Sequence, residues 1–271
     1  MSKKENHKQD LANFFDEFLK TGDEGKIIEY LVSNSNLPGR RANLELAEAF
    51  AEVIEDYFAK NSERLWSLCL KLIEVSSDEA PVNNPKEFLP FCGAWAIGAM
   101  GSVSSTFFQN ALSCLKELAN DPRWRIRESV AMGIQKSIEK QSQKTLKELQ
   151  DWIGKGNWLT MRAVAAGVAD PVLLRNKQTT RWALELHKKI FDQILTAEEH
   201  KSEEFKTLKK GLGYSLSVVI CAIPKEGFEY MHQLIDSQDK DVLWIIKENL
   251  KKNRLIKNFP DEVASIKELL K

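Results

Sequence analysis

A recurrence narrows what this chain can fold into more than any other feature. Trp124-Arg-Ile-Arg-Glu-Ser-Val130-Ala131-Met-Gly133 and Trp158-Leu-Thr-Met-Arg-Ala-Val164-Ala165-Ala-Gly167 carry Trp, Val, Ala and Gly at the same offsets, 34 residues apart. Ala96-Ile-Gly98 precedes Ala131-Met-Gly133 by 35 residues, and Trp244-Ile-Ile246-Lys247-Glu248 mirrors Trp124-Arg-Ile126-Arg127-Glu128. A period of this length is that of one helix pair, too small to bury its own apolar face and stable only when stacked on similar units. Small residues at the Ala-x-Gly positions let neighbouring helices approach closely. The second helices of the units near residues 96, 131, 165 and 246 are therefore expected to stand side by side, in that order.

The rest of the sequence agrees with helices. Apolar residues return at helical spacing in Leu46, Phe50, Val53, Ile54, Tyr57 and Phe58, and again over 107–118, 146–153, 182–195, 208–223 and 228–235. Breaks fall at Pro38-Gly39, 76–85, Asp121-Pro122, 154–157, Asp170-Pro171, Pro224 and Pro260. Eight prolines, thirteen glycines and no Asn-Gly or Asp-Gly hairpin signal argue against a sandwich or barrel. With 43% hydrophobic and 29% charged residues, the 271-residue chain also lies outside the disordered, collagen-like and membrane classes. The expectation is an all-α fold, an α-solenoid of antiparallel helix pairs in one domain over 1–271. Residues 1–80 supply divergent helices and a cap, 85–255 the recognisable repeats, and 256–271 a closing cap helix.

Charge sets limits on partners. Lys and Arg together number 39 and so do Asp and Glu, so the whole chain exerts no net pull on nucleic acid or anionic lipid, and a polyanion site would have to be a local patch. Cys69, Cys92, Cys114 and Cys221 lie in apolar stretches without metal-ligand spacing, which predicts free thiols in a reducing compartment. The start MSKKENHKQD has no apolar signal-peptide core, and no stretch reaches the ~18 apolar residues a membrane span needs. These features predict a cytoplasmic monomer without membrane, metal or cofactor.

Asp121-Pro122, then Ile126-Arg127, then Val130-Ala131 resembles the second helix of a HEAT repeat: an Asp-Pro turn, an aliphatic-Arg pair and small residues. The resemblance covers roughly 85–255, and Leu37-Pro-Gly-Arg-Arg41 with Asn43-Leu-Glu-Leu-Ala47 is similar to a segment of bacterial HEAT-repeat proteins. It implies a right-handed superhelical stack with a binding surface rather than a reaction. Asn157-Trp158-Leu159-Thr160-Met161-Arg162-Ala163 is also similar to a segment of the HEAT-like alkylpurine DNA glycosylases, whose resemblance implies a basic concave groove and a Trp-lined cleft with an aspartate. No Trp-x-x-x-Asp cluster accompanies it here.

Other catalytic signatures are missing. His7, His187, His200 and His232 are scattered, Gly211-Leu-Gly213 lacks the third glycine of a dinucleotide loop, and no GxSxG or GxxxxGK[ST] occurs. The candidates are cations and aromatics. Trp124, Trp158 and Trp244 each open a second helix and are placed either as interhelical packing or as stacking platforms. Arg127 falls within the apolar arc of Ile126, Val130, Gly133, Ile134 and Ile138, so it must be paired. Two arrangements follow. Arg127 and Arg162 form an inter-repeat ladder to carboxylates or carbonyls, or they join Arg123, Arg125, Lys247, Lys251, Lys252 and Arg254 in a groove that contacts phosphates. The expected function is a non-enzymatic binding scaffold whose concave face takes a macromolecular partner, protein or DNA. The alternative is DNA alkylation repair, with the base handled by Trp124 and Trp158 and the phosphates by Arg127 and Arg162.

Overall fold

A computed structural model describes residues 2–270, so the outermost positions of the two expected caps, Met1 and Lys271, lie outside the described residues. The fold is all-α: no strand occurs among the described residues. Among the described residues no helix is long and apolar enough to cross a membrane. The chain forms two compact units, Met1–Gln141 and Ser142–Lys271. The boundary falls inside the longest helix, α6 (Trp124–Lys155), where Gln141 leaves helical geometry at φ −128° and ψ 46°.

In the first unit, α1 (Lys3–Thr21) starts on the Ser2 hydroxyl, which accepts from Glu5 N, and stops at Gly22, whose φ of 82° suits glycine. After α2 (Gly25–Ser33), the Asn43 side chain caps α3 (Leu44–Ile73). The centre is α4 (Phe88–Val103), apolar all round and packed against α3 and against α5 (Ser105–Leu118). Its small residues let α6 come to backbone distance. A Cβ built on Gly98 would stand 2.3 Å from Gly133 Cα, so the helices near 96 and 131 are neighbours as expected. Ser129 Oγ donates to Phe91 O, and Ser137 Oγ to Gly98 O at 3.4 Å, along the same seam.

The second unit repeats a pattern of capped helices. Asn157 and Thr160 form a capping box at α7 (Trp158–Val168). Asn176 caps α8 (Lys177–Thr196), Ser202 caps α9 (Glu203–Ala222), and Asp239 caps α11 (Lys240–Asn249). α9 packs against both α7 and α11. The helices near 165 and 246 are therefore not neighbours, contrary to the expectation: α9, which the recurrence did not mark, lies between them. Its Gly211 and Gly213 make room for both: a Cβ on Gly211 would lie 3.3 Å from Arg162 Cγ of α7, and one on Gly213 3.3 Å from the Trp244 ring of α11. α8 meets α10 (Pro224–Asp236) through Phe191 and Tyr230, whose rings are 6.0 Å apart. The chain closes with α12 (Asn253–Asn258) and α13 (Pro260–Leu269).

α8 is tied to α9 by a buried histidine. Ala183 O can only accept, so His187 Nδ1 carries the proton at 2.8 Å, and Nε2 accepts from Ser215 Oγ at 2.9 Å. Burial pushes His187 down to about 4, against a partly opposing hydrogen bond to Ala183 O. The unfolded chain therefore takes up a proton below pH ~6.5 that the folded one refuses until about pH 4. Stability is greatest above that window and should fall by roughly 3 kcal/mol across it as pH drops. His187→Gln should flatten this part of the pH profile in denaturant titrations. Packing gives a second expectation: Gly98→Ala should cost about 3 kcal/mol or more through backbone overlap. Gly154→Ala, with nothing within 4 Å, should stabilise by about 0.5–1 kcal/mol. Equal melting of the two variants would contradict the Gly98–Gly133 contact.

Candidate functional site

The structure separates the expected arginines by role. Arg123 is buried: Nε and Nη2 grip Asp121 at 2.9 and 2.7 Å, and Nη1 donates to Ser76 O and Ala80 O at 3.2 Å each. Arg125 is buried as well, with Nη1 3.1 Å from Glu87 Oε2 and Nη2 donating to Gly39 O at 2.6 Å and Asn83 Oδ1 at 2.8 Å. Glu87, fully buried, also accepts from Asn83 N at 2.8 Å. Arg123 and Arg125, rather than Arg127 alone, thus make buried pairings of the kind expected of a ladder. Arg127 is half-buried and donates to Asp121 O and Pro122 O in the turn before its own helix.

Trp124, 44% exposed, lies with one face 4.4 Å from the Arg125 guanidinium. It lines a cleft of about 240 Å³ together with Arg40, Arg41, Leu44 and Glu128. Trp124 belongs to the first unit and Trp158, Arg162 and Trp244 to the second.

In the second unit, the N-terminal ends of three helices are joined by one chain of contacts. The Trp158 ring meets Phe205 edge-on at 5.3 Å, and Phe205 stacks on His200 at 4.4 Å. His200 Nδ1 lies 3.1 Å from Asp241 Oδ2, Lys209 Nζ 2.7 Å from Asp241 Oδ1, and Lys209 stands 4.6 Å from the Trp244 ring centre. Burial alone would raise the Asp241 carboxyl, but the hydrogen bonds from Lys209 and His200 outweigh it and hold it below its usual value. His200, Asp239 and Asp241 bring ligand atoms within 4.8 Å of one another. This group is an ion-pair latch. Lys209 takes the place a metal cation would need, His200 Nε2 is bonded to Ile194 O, and Asp239 caps α11.

The outer side of the same three helices is basic and aromatic. Arg162 lies half-buried on α7, over Gly211. Lys210 and Tyr214 follow one turn apart on α9, Tyr214 being 51% exposed. On α11 and just beyond it, Lys240, Trp244, Lys247 and Lys251 recur at spacings of three and four, which puts them on one face. Lys251 pairs with Glu248, whereas Lys210, Lys240 and Lys247 are exposed and make no ion pair among the described residues. Arg254 and Lys252 sit 4.5 and 5.9 Å from the Tyr214 ring, and Arg254 Nη2 donates to Tyr214 Oη. Lys210, Tyr214 and Lys240 were not anticipated from the sequence; the i, i+4 pairing of a lysine with an aromatic on α9 was the available signal. Arg40 and Arg41 were quoted only as part of a resemblance, and Glu87 not at all.

No protein-family model, curated protein or solved structure matches this chain.

The buried pair gives a direct expectation. Arg125→Met leaves Glu87 charged and enclosed and should cost about 3–5 kcal/mol. Adding Glu87→Leu should return much of that loss, as read by denaturant melts of the single and double variants.

Proposed function

We propose that the chain is a HEAT-like α-solenoid binding module without catalytic chemistry, and that the outer face of the α7–α9–α11 layer holds a nucleic-acid strand. The solenoid reading draws on the alternation in the second unit, where α9 packs between α7 and α11 and α8 meets α10. The binding reading rests on one observation above all: exposed cations without ion-pair partners among the described residues, Lys210, Lys240 and Lys247, flank the exposed ring of Tyr214, with the half-buried Trp244 ring alongside Lys240 and Lys247 on α11. Cations contact phosphates and rings accept stacked bases, and such a combination is what a strand requires. An acidic protein would use the cations but has less use for Tyr214, whose exposed ring is flanked by two further cations.

The reading predicts sequence-tolerant, salt-sensitive binding. Lys210→Glu with Lys247→Glu should leave Tm unchanged, because both side chains are exposed. It should weaken a fluorescent oligonucleotide about tenfold or more in anisotropy titrations and reduce the log–log salt slope by about 0.7–0.9 for each phosphate no longer engaged. Unchanged affinity and slope would refute the assignment. Alkylated DNA incubated with the protein should keep its bases; their release would replace strand binding with base excision as the function.

A further inference from the structure

The cleft of the first unit is a second site, independent of the strand-binding face. Its floor is fixed before any ligand arrives. The loop over residues 37–41 is pinned by Leu37 N to Ser35 Oγ at 3.1 Å, Asn43 N to Ser35 O at 2.9 Å, Asn43 Nδ2 to Asn34 O at 2.9 Å, and Gly39 O to the buried Arg125. That loop presents Arg40 and Arg41, both without an ion pair among the described residues and both lining the cleft. Adjacent guanidinium groups on a pinned loop repel each other unless an anion lies between them, and planar forks suit a phosphate's paired oxygens.

Across the cleft stands Trp124, 44% exposed. Arg125 backs one face of its indole, which holds the ring in place and leaves the rest for a planar partner. Glu128, one turn further along the same face of α6, brings a carboxylate, whose several lone pairs can accept from a ring amino group. The volume of about 240 Å³ lies below the range that encloses a ligand of drug size, so a nucleotide would be held by its base and phosphate with the rest exposed.

We propose that this cleft binds a single nucleotide unit bearing a terminal phosphate, its base stacked on Trp124 with an amino group toward Glu128 and its phosphate held by Arg40 and Arg41. The unit has two sources, a free nucleoside monophosphate or the 5′-phosphorylated end of a strand.

Calorimetric titration of the full chain with AMP, adenosine and inorganic phosphate, and with a short oligonucleotide carrying either a 5′-phosphate or a 5′-hydroxyl, tests the assignment. AMP should bind about tenfold or more tightly than either adenosine or phosphate alone. Arg40→Gln with Arg41→Gln, and separately Trp124→Ala, should each weaken AMP about tenfold, with Tm of the arginine double variant unchanged. Tighter binding of the 5′-phosphorylated strand than of AMP, abolished in the same variants, assigns the strand end as the occupant; preference for AMP assigns the free nucleotide. Failure of both to bind at millimolar concentration, equal affinity for AMP and adenosine, or wild-type affinity in the arginine double variant would each overturn the proposal. Because Lys210 and Lys247 lie in the other unit, the Lys210→Glu, Lys247→Glu variant should bind AMP as wild type does, which keeps the two sites separately testable.

Discussion

Backbone contact between α4 and α6 at Gly98 and Gly133 is the constraint from which the rest of the first unit follows. Helices carrying ordinary side chains pack with their axes 8–10 Å apart. Where Gly98 meets Gly133 there is no room for even one methyl group. That approach brings α6 onto α4 closely enough for Ser129 and Ser137 to reach the carbonyls of Phe91 and Gly98. It also fixes how far the first turn of α6 projects toward the 76–87 segment. In the second unit one helix lies between two, and the glycines of α9 make room for side chains instead: Gly211 for Arg162 of α7, Gly213 for Glu248 and Trp244 of α11.

Once α6 is seated, its first turn becomes a distributor of charge. Arg123 and Arg125 go inward, where bonds to Ser76 O, Ala80 O, Gly39 O and Asn83 fasten segments that have no regular structure of their own. Burying a guanidinium is costly, and Asp121 and Glu87 offset it with close ion pairs. Trp124, between the two arginines in sequence, is left outward with a cation behind its ring. One helical turn thus both ties down the loop carrying Arg40 and Arg41 and presents the aromatic wall opposite it.

How much of this was legible in the sequence depends on the range of the interaction. Helix starts carry a local signal, since Asn157, Asn176, Ser202 and Asp239 cap their own helices within three residues, but of these only the break at 154–157 was read from the sequence. The close-packed pair near 98 and 133 was readable because the repeat places small residues in register. Arg125 was not, since its partners Gly39, Asn83 and Glu87 lie 38 to 86 residues away and carry no periodic signal. The break at Gln141 escaped as well. Its neighbours continue a helical pattern, and the side chain's bonds to Gly101 O and Ser102 O are formed only in the packed unit.

Zero net charge is compatible with a basic binding face because proximity decides which charges cancel. In the first unit, Lys4 and Lys8 of α1 are matched by Glu48, Glu52 and Asp56 of α3, a ladder in which each cation has a carboxylate within 4 Å. In the second, Asp241 takes up Lys209 and His200, so an acid that lies near the exposed face is already neutralised by groups beneath it. What remains outward there without an ion pair among the described residues is Lys210, Lys240 and Lys247, and the local field at this face depends on these more than on the sum over the chain. At physiological ionic strength the Debye length is about 8 Å, so acids on remote surfaces contribute little at the face itself. Composition therefore leaves the local charge open, and the latch at Asp241 removes one acid from the balance at the three-helix face.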